Sequence, residues 1–408
     1  MPLLLFVLCL LTVSCSPVVN KRPTPSPVPF TIPPKQEFPR PSADPEKLDY
    51  LVSRLNDFSL TLYGALDKDG QPGNLAVSPV GVFFLLELLF EGSVGTTRDQ
   101  LETLLGRSQS GLKEVELLAW ELNRTPSMVQ VQKIFVDQPG QIADGYSEKI
   151  APVLGEPIDF VPFGTQEASK TISEWIHKKT GLTQAVPTSQ EISCALVSVL
   201  CFQGRWVHEF PAQVTAQAEF TPRRGDKLSI PMMHLRDVEL PYLEAPDGQG
   251  VVLPLNDGVD MVLVLPADGR SLSKALNNVL KATPEEAYFD LKVPRFRVDS
   301  PMTNLNDALA KLGLEGVLKD ADLSEMLKTE PKTTFDLNAY HRALVAVDEK
   351  GAEAKAVSLG LATPAASRTP TEPRFVTLEF DRTFAFALRH QETNALLMVG
   401  RVEEPELW

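Results

Sequence analysis

Residues 348–375 hold the side chains whose order could do work. Along an extended chain, alternate side chains face opposite sides, and one parity here reads Ala352, Ala354, Ala356, Ser358, Gly360 and Ala362, all small. The other parity reads Glu353, Lys355, Val357, Leu359 and Leu361, which begins charged and suits a solvated face. Such a segment can leave a loop and slide between two existing strands, because a bulky inward residue would not fit a close-packed interior. An Ala-rich surface loop or an ordinary edge strand would carry the same alternation, so the pattern alone leaves these open. Covalent catalysis finds no comparable set. The chain has no Gly-x-Ser-x-Gly elbow, no His-Glu-x-x-His, no phosphate-cradling glycine loop and no Cys-x-x-Cys pair. His177, His208, His234, His341 and His390 are scattered without metal-ligand spacing. The chain is therefore expected not to be an enzyme, and no metal or cofactor is indicated.

An insertable segment needs a sheet to receive it, and the hydrophobic pattern supplies one. Apolar residues at helical spacing run over 48–66 behind Asp44-Pro45. Ser78-Pro79 is expected to cap a second helix, VGVFFLLELLF, apolar on nearly every face and so the buried centre of the domain, with Glu87 an oddity inside it. Further helices are expected at 100–105, 112–122 and 165–180. Strand-like runs lie at 128–136, 195–202, 251–255, 261–265, 289–298, 333–347, 384–389 and 395–402. Helices mostly before strands, in one piece over 46–408, predict an α+β domain with large mixed or antiparallel sheets.

Several separated motifs then fall in one order. The run VDEKGAEAKAVS, followed by FDRTFAFALRHQETNALLMVGRVEEP, resembles the hinge, reactive loop and C-terminal strands of the serpin family. NLAVSPVGVFFLLELLFEGSVGTT is similar to that family's buried second helix, ISEWIHKKTG to its sheet-covering helix, LVSVLCFQGRW to its third central-sheet strand, and LSIPMM to a further signature. The resemblance covers residues 46–405, and HRA at 341–343, FQGRW and TNALLMVG are similar to the pigment epithelium-derived factor and antiplasmin branches. It implies the serpin fold, with three β-sheets, about eight to nine helices and an exposed reactive loop at residues 350–375.

It also implies a mechanism, in which a protease cleaves the loop, remains as an acyl-enzyme and is carried across the molecule as the loop becomes a new strand. The family's usual spacing from the glutamate matching Glu349 puts the scissile bond at Ala365-Ala366, which suits an elastase-like pocket. Counted back from Phe380, however, this loop is longer than is common, and Arg368-Thr369 lies in the excess. Ser367-Arg368 is similar to the antiplasmin bait and would fill a trypsin-like pocket through its guanidinium, so Arg368-Thr369 is preferred to Ala365-Ala366. Pro370 follows directly and would slow cleavage there. The resemblance assigns Glu349, Gly351, Ala352, Ala354, Ala356 and Ser358 to the hinge, and Glu349 with Arg295 to a salt bridge at the top of the sheet. Ser78, Gly81, Ser198 and His341 match the polar cluster where the sheet opens, but Gly81 replaces a serine and Ser198 an asparagine. That loss of hydrogen-bonding capacity keeps a second reading open, a non-inhibitory extracellular ligand of receptor or matrix.

Composition bounds the partners. The chain of 408 residues carries 39 Lys and Arg against 53 Asp and Glu, a net charge of −14. This balance disfavours nucleic acid and anionic membranes, which would repel it. Over 100–122, Arg107 and Lys113 stand against Glu102, Glu114, Glu116 and Glu121, so a heparin-like cofactor is not indicated. Residues 3–11 are uninterruptedly apolar and lead into Ser14, Cys15 and Ser16, the layout of a secretory signal peptide over 1–15. Removal of Cys9 and Cys15 would leave Cys194 and Cys201, which one strand would hold roughly 23 Å apart, beyond any disulfide. Residues 16–45 contain ten prolines and read as a disordered, polyproline-like tail. Asn123-Arg124-Thr125 is the single glycosylation sequon. The expectation is a secreted, extracellular, monomeric glycoprotein.

Overall fold

The computed structural model describes residues 39–67, 72–137, 141–328, 334–351 and 374–405. Its helices are α1 Pro45–Leu66, α2 Pro79–Gly92, α3 Gly95–Leu105, α4 Leu112–Asn123, α5 Tyr146–Leu154, α6 Gln166–Thr180 and α7 Leu272–Leu280, then the short α8 Asn306–Leu309 and α9 Glu315–Lys319 joined through one wide turn. The strands are β1 Leu75–Val77, β2 Met128–Asp137, β3 Gln141–Ile142, β4 Asp159–Val161, β5 Cys194–Phe202, β6 Ala216–Phe220, β7 Leu228–Ala245, β8 Gly248–Leu255 and β9 Val259–Pro266. They continue with β10 Glu285–Pro294, β11 Phe296–Asp299, β12 Thr303–Asn304, β13 Leu327–Lys328, β14 Leu337–Val347, β15 Phe375–Glu379, β16 Phe384–His390 and β17 Leu396–Val402.

They form three sheets, as expected of the fold. The central sheet runs β11-β14-β5-β2-β4, with β12 beside β14. A larger sheet runs β1-β17-β16-β9-β8-β7-β10-β15, with β6 on β7, and β13 pairs β3. Strand β5 shows why the central sheet is stable. All its residues are buried, with Cys194, Leu196, Leu200 and Phe202 in the core that contains α2. Ala195, Val197, Val199 and Cys201 enter a second core with Ile172, Trp175 and Ile176 of α6. A strand covered on both faces reads as a continuous apolar run rather than an alternating one. Cys194 and Cys201 are both free, on opposite faces, and burial pushes each thiol up to about 12.

Local chemistry explains the helix positions. Asp44 caps α1 by accepting the Glu46 N–H at 3.0 Å, with Pro45 in the first turn. In α2 every residue except Glu91 is buried. Glu87 within it is the partner of Arg107, whose Nε lies 3.0 Å from Oε2, and Arg107 also pairs with Glu91, which Lys149 reaches as well. Burial raises the Glu87 carboxyl to about 8 even though Arg107 pulls the other way. Arg107 is thus a buried counter-ion rather than a surface base.

Three expectations need correction. Ser78 occupies the N-cap of α2, but its hydroxyl makes no capping hydrogen bond. The run at 289–298 is two strands, β10 and β11, because the chain leaves one sheet for another between Pro294 and Phe296. Among the described residues of the run at 333–347, the strand begins at Leu337. Strand β7 was not expected at all, since Pro231 and Pro241 interrupt its pattern.

Candidate functional site

Strands β5 and β14 are direct parallel neighbours from Leu337↔Cys194 to Val345↔Phe202. No strand lies between them, so the central sheet is closed along this seam. The chain leaves β14 at Val347, turns through Asp348–Gly351 and passes out of the described residues. Ala352, Ala354, Ala356, Ser358, Ala365, Ala366, Arg368 and Thr369 all lie beyond that point.

The base of the segment is tied down from several directions. Glu349 is buried and accepts from Arg295 Nε at 2.9 Å and from the Thr215 hydroxyl at 2.6 Å. Burial raises its carboxyl, but these two donors more than offset that and hold it below its ordinary value. The Glu349–Arg295 pair is therefore more than a screened surface contact. The Trp206 indole N–H donates to the Asp348 carbonyl at 2.9 Å, and the Trp206 backbone N–H to Lys350 O at 3.0 Å. The Phe210 N–H reaches Glu349 O at 2.9 Å. Asp348 accepts from the N–H groups of Lys350 and Gly351 at 2.8 and 3.1 Å, closing the turn. Gly351 has φ +141, and a Cβ there would collide with the Gly204 carbonyl. Only glycine fits the point where the chain turns away from the sheet.

The four residues expected at the opening point do come together. His341 and Ser198 are in register across β14 and β5, and Gln132 of β2 continues the row. His341 Nε2 accepts the Ser78 backbone N–H at 2.9 Å, so the orphaned start of α2 is satisfied by the sheet. Burial drives the imidazole down to about 3, opposed by the Ser198 backbone, which leaves it neutral with its proton on Nδ1. A Cβ on Gly81 would collide with Ser198 Oγ. The two substitutions are thus spatially coupled, because the Ser198 hydroxyl fills the space that a side chain at 81 would take. The Ser78 and Ser198 hydroxyls find no partner among the described residues.

The contacts of Gln130, Thr215 and Trp206 were not expected, although Trp206 stands in the FQGRW motif. Gln130 Nε2 donates to Gln132 Oε1 at 3.2 Å beside Gly81, joining the cluster from β2. No local sequence signal marks Thr215, whose role arises from a contact across 134 positions of chain. Asn123 ends α4 and is exposed, whereas Thr125 of its sequon is buried. The last residues before α1 are anchored too. Arg40 donates to Glu121 at 2.8 Å and lies over the Trp120 ring, which Arg124 also covers.

Comparison with known proteins agrees with this geometry. A family model described as Serpin (serine protease inhibitor) matches residues 53–405. Alpha-1-antitrypsin 1-3 of Mus musculus is 26% identical over 377 residues, 87% of this chain and 89% of that protein. Leukocyte elastase inhibitor of Homo sapiens is 25% identical over 389 residues, 88% of this chain and 100% of that protein. Among solved structures, Serpin48 of Tenebrio molitor superposes with a TM-score of 0.75 at 20% identity, covering 90% of this chain and 100% of the other. Maspin gives 0.76 at 19%, covering 88% and 100%.

Proposed function

The chain belongs to the serpin family, and from that premise we propose that it is a secreted suicide-substrate inhibitor of trypsin-like serine endopeptidases. The observation that carries this reading is the closed parallel seam between β5 and β14. It is aligned with a turn at Gly351 that delivers a segment with small residues at every second position. An inserted strand would be antiparallel to both neighbours and would give each a new hydrogen-bond ladder. The strain released is what would displace and distort the attached enzyme. Arg368-Thr369 is the bait bond, with Ala365-Ala366 second; a guanidinium at 368 matches an acidic specificity pocket. The hydrophobic leader supports secretion and the sequon at Asn123 supports glycosylation. The monomer is the working unit.

A second reading, an extracellular serpin that binds receptor or matrix without inhibiting, is favoured by two features. The Ser78 and Ser198 hydroxyls are unpartnered, and Pro364 stands in the path of insertion, where it would leave one ladder hydrogen bond unmade. Incubation with trypsin and separately with elastase, followed by denaturing electrophoresis and mass spectrometry, decides between the readings. A denaturant-stable complex with a released peptide beginning at Thr369 or Ala366 is the expected result. Clean cleavage with no complex and no gain in thermal stability selects the second reading.

A further inference from the structure

Three large apolar side chains stand out on the described surface: Val207 and Val214, each 48% exposed, and Phe375, 73% exposed. All three flank the two ends of the reactive loop. Val207 follows Trp206, which holds Asp348; Val214 precedes Thr215, which holds Glu349; Phe375 opens β15 just after the loop returns. Phe375 packs against Tyr288 with ring centroids 5.6 Å apart. In register, Phe375, Tyr288 and Glu239 form one row across β15, β10 and β7. Two bases on this face, Arg374 and Lys292, are already ion-paired. Arg374 is held by Glu244 at 2.7 Å and Glu285 at 2.8 Å, Lys292 by Glu379 at 3.0 Å, and Arg236 donates to His234, which contacts Asp290. Asp237, Glu239 and Glu286 are exposed and make no ion pair among the described residues. An exposed phenylalanine packed on a half-buried tyrosine, among acidic groups that outnumber the bases, is a surface built for a partner.

We propose that the solvent face of β7, β10 and β15 is a docking surface for the protease that the loop baits, and that it selects an enzyme with basic and apolar groups beside its substrate cleft. The proposal rests on the inhibitory reading above. Continuity argues for this occupant: Phe375 is seven positions beyond Arg368, a span of about 24 Å at most, so an enzyme closed on the 368–369 bond is tethered within that distance of Phe375. Charge argues for its character, because acidic groups steer a basic rim during encounter. The bait residue would then admit trypsin-like enzymes as a class, and the face would rank them.

The test uses the purified full chain with cationic and anionic trypsin, two probes of the same pocket preference and opposite surface charge. Second-order rate constants for denaturant-stable complex are measured at low and high salt. The cationic enzyme should react about 10-fold faster at low salt, with the gap closing as salt rises. The double variant E239Q/E286Q should slow only the cationic enzyme, and F375A should slow both by about 5-fold. Complexes that form at unchanged rates in both variants overturn the docking surface and leave inhibition standing. Failure of the unaltered protein to trap either enzyme overturns both.

Discussion

Two buried titrating groups push stability in opposite directions with pH. Glu87 sits at about 8 in the fold, above its unfolded value, so its contribution is fully present below about 4.3 and is lost as pH rises toward 8. His341 sits at about 3, below its unfolded value, so the unfolded chain binds the extra proton and stability is lost as pH falls from about 6.5 toward 3. Replacing Glu87→Gln should therefore flatten the decline between pH 5 and about 8 in urea unfolding, leaving the acid limb in place; an unchanged slope would refute the assignment. Glu349 behaves as the ordinary depressed carboxylate, with stability present above its unfolded value and lost as pH falls through the folded one. Truncating Glu349→Ala releases Arg295 and Thr215 together. The expected outcome is a larger polymer fraction after mild heating, read by native electrophoresis, and an equal fraction would reject the clamp.

Between elements, the contact of α2 with the sheet depends on Gly81 and Ser198. A serine at 81 alone should cost about 1–3 kcal/mol, because its Cβ meets the Ser198 hydroxyl. With Ser198→Ala present the cost should fall, so that a double-mutant cycle gives a coupling of about 1 kcal/mol or more. Additive losses would show that the two positions are independent. The elements themselves were legible where burial was extreme, as in α2 and β5, whose unbroken apolar runs leave no alternative to a covered helix and a two-faced strand. β7 was not, because its two prolines sit where a short-range reading expects chain breaks. Gly81 and Ser198 were each legible as departures from the family pattern. Their mutual fit was not, since it is set by the docking of α2 on β5.

At the scale of the whole molecule, the alternation of small residues and the family motifs carry the expectation of an insertable loop, whose residues lie outside the described ones. Of the grip on its base only the Glu349–Arg295 pair was readable, through the family pattern; Trp206 and Thr215 reach Asp348 and Glu349 from distant parts of the chain. Insertion requires that the β5–β14 seam open to admit the loop. The structure offers a direct way to forbid that. Leu344 of β14 lies in register with the free, buried Cys201 of β5. The single substitution Leu344→Cys therefore places two thiols across the upper end of the seam, at a spacing that neighbouring strands hold within disulfide range. The decisive measurement is complex formation with trypsin by the oxidised and reduced forms of L344C. If the seam must open, the oxidised protein is cleaved as a simple substrate with no denaturant-stable complex, and reduction restores trapping. Equal trapping by the oxidised protein, with the cross-link verified by mass spectrometry, would contradict insertion at this seam.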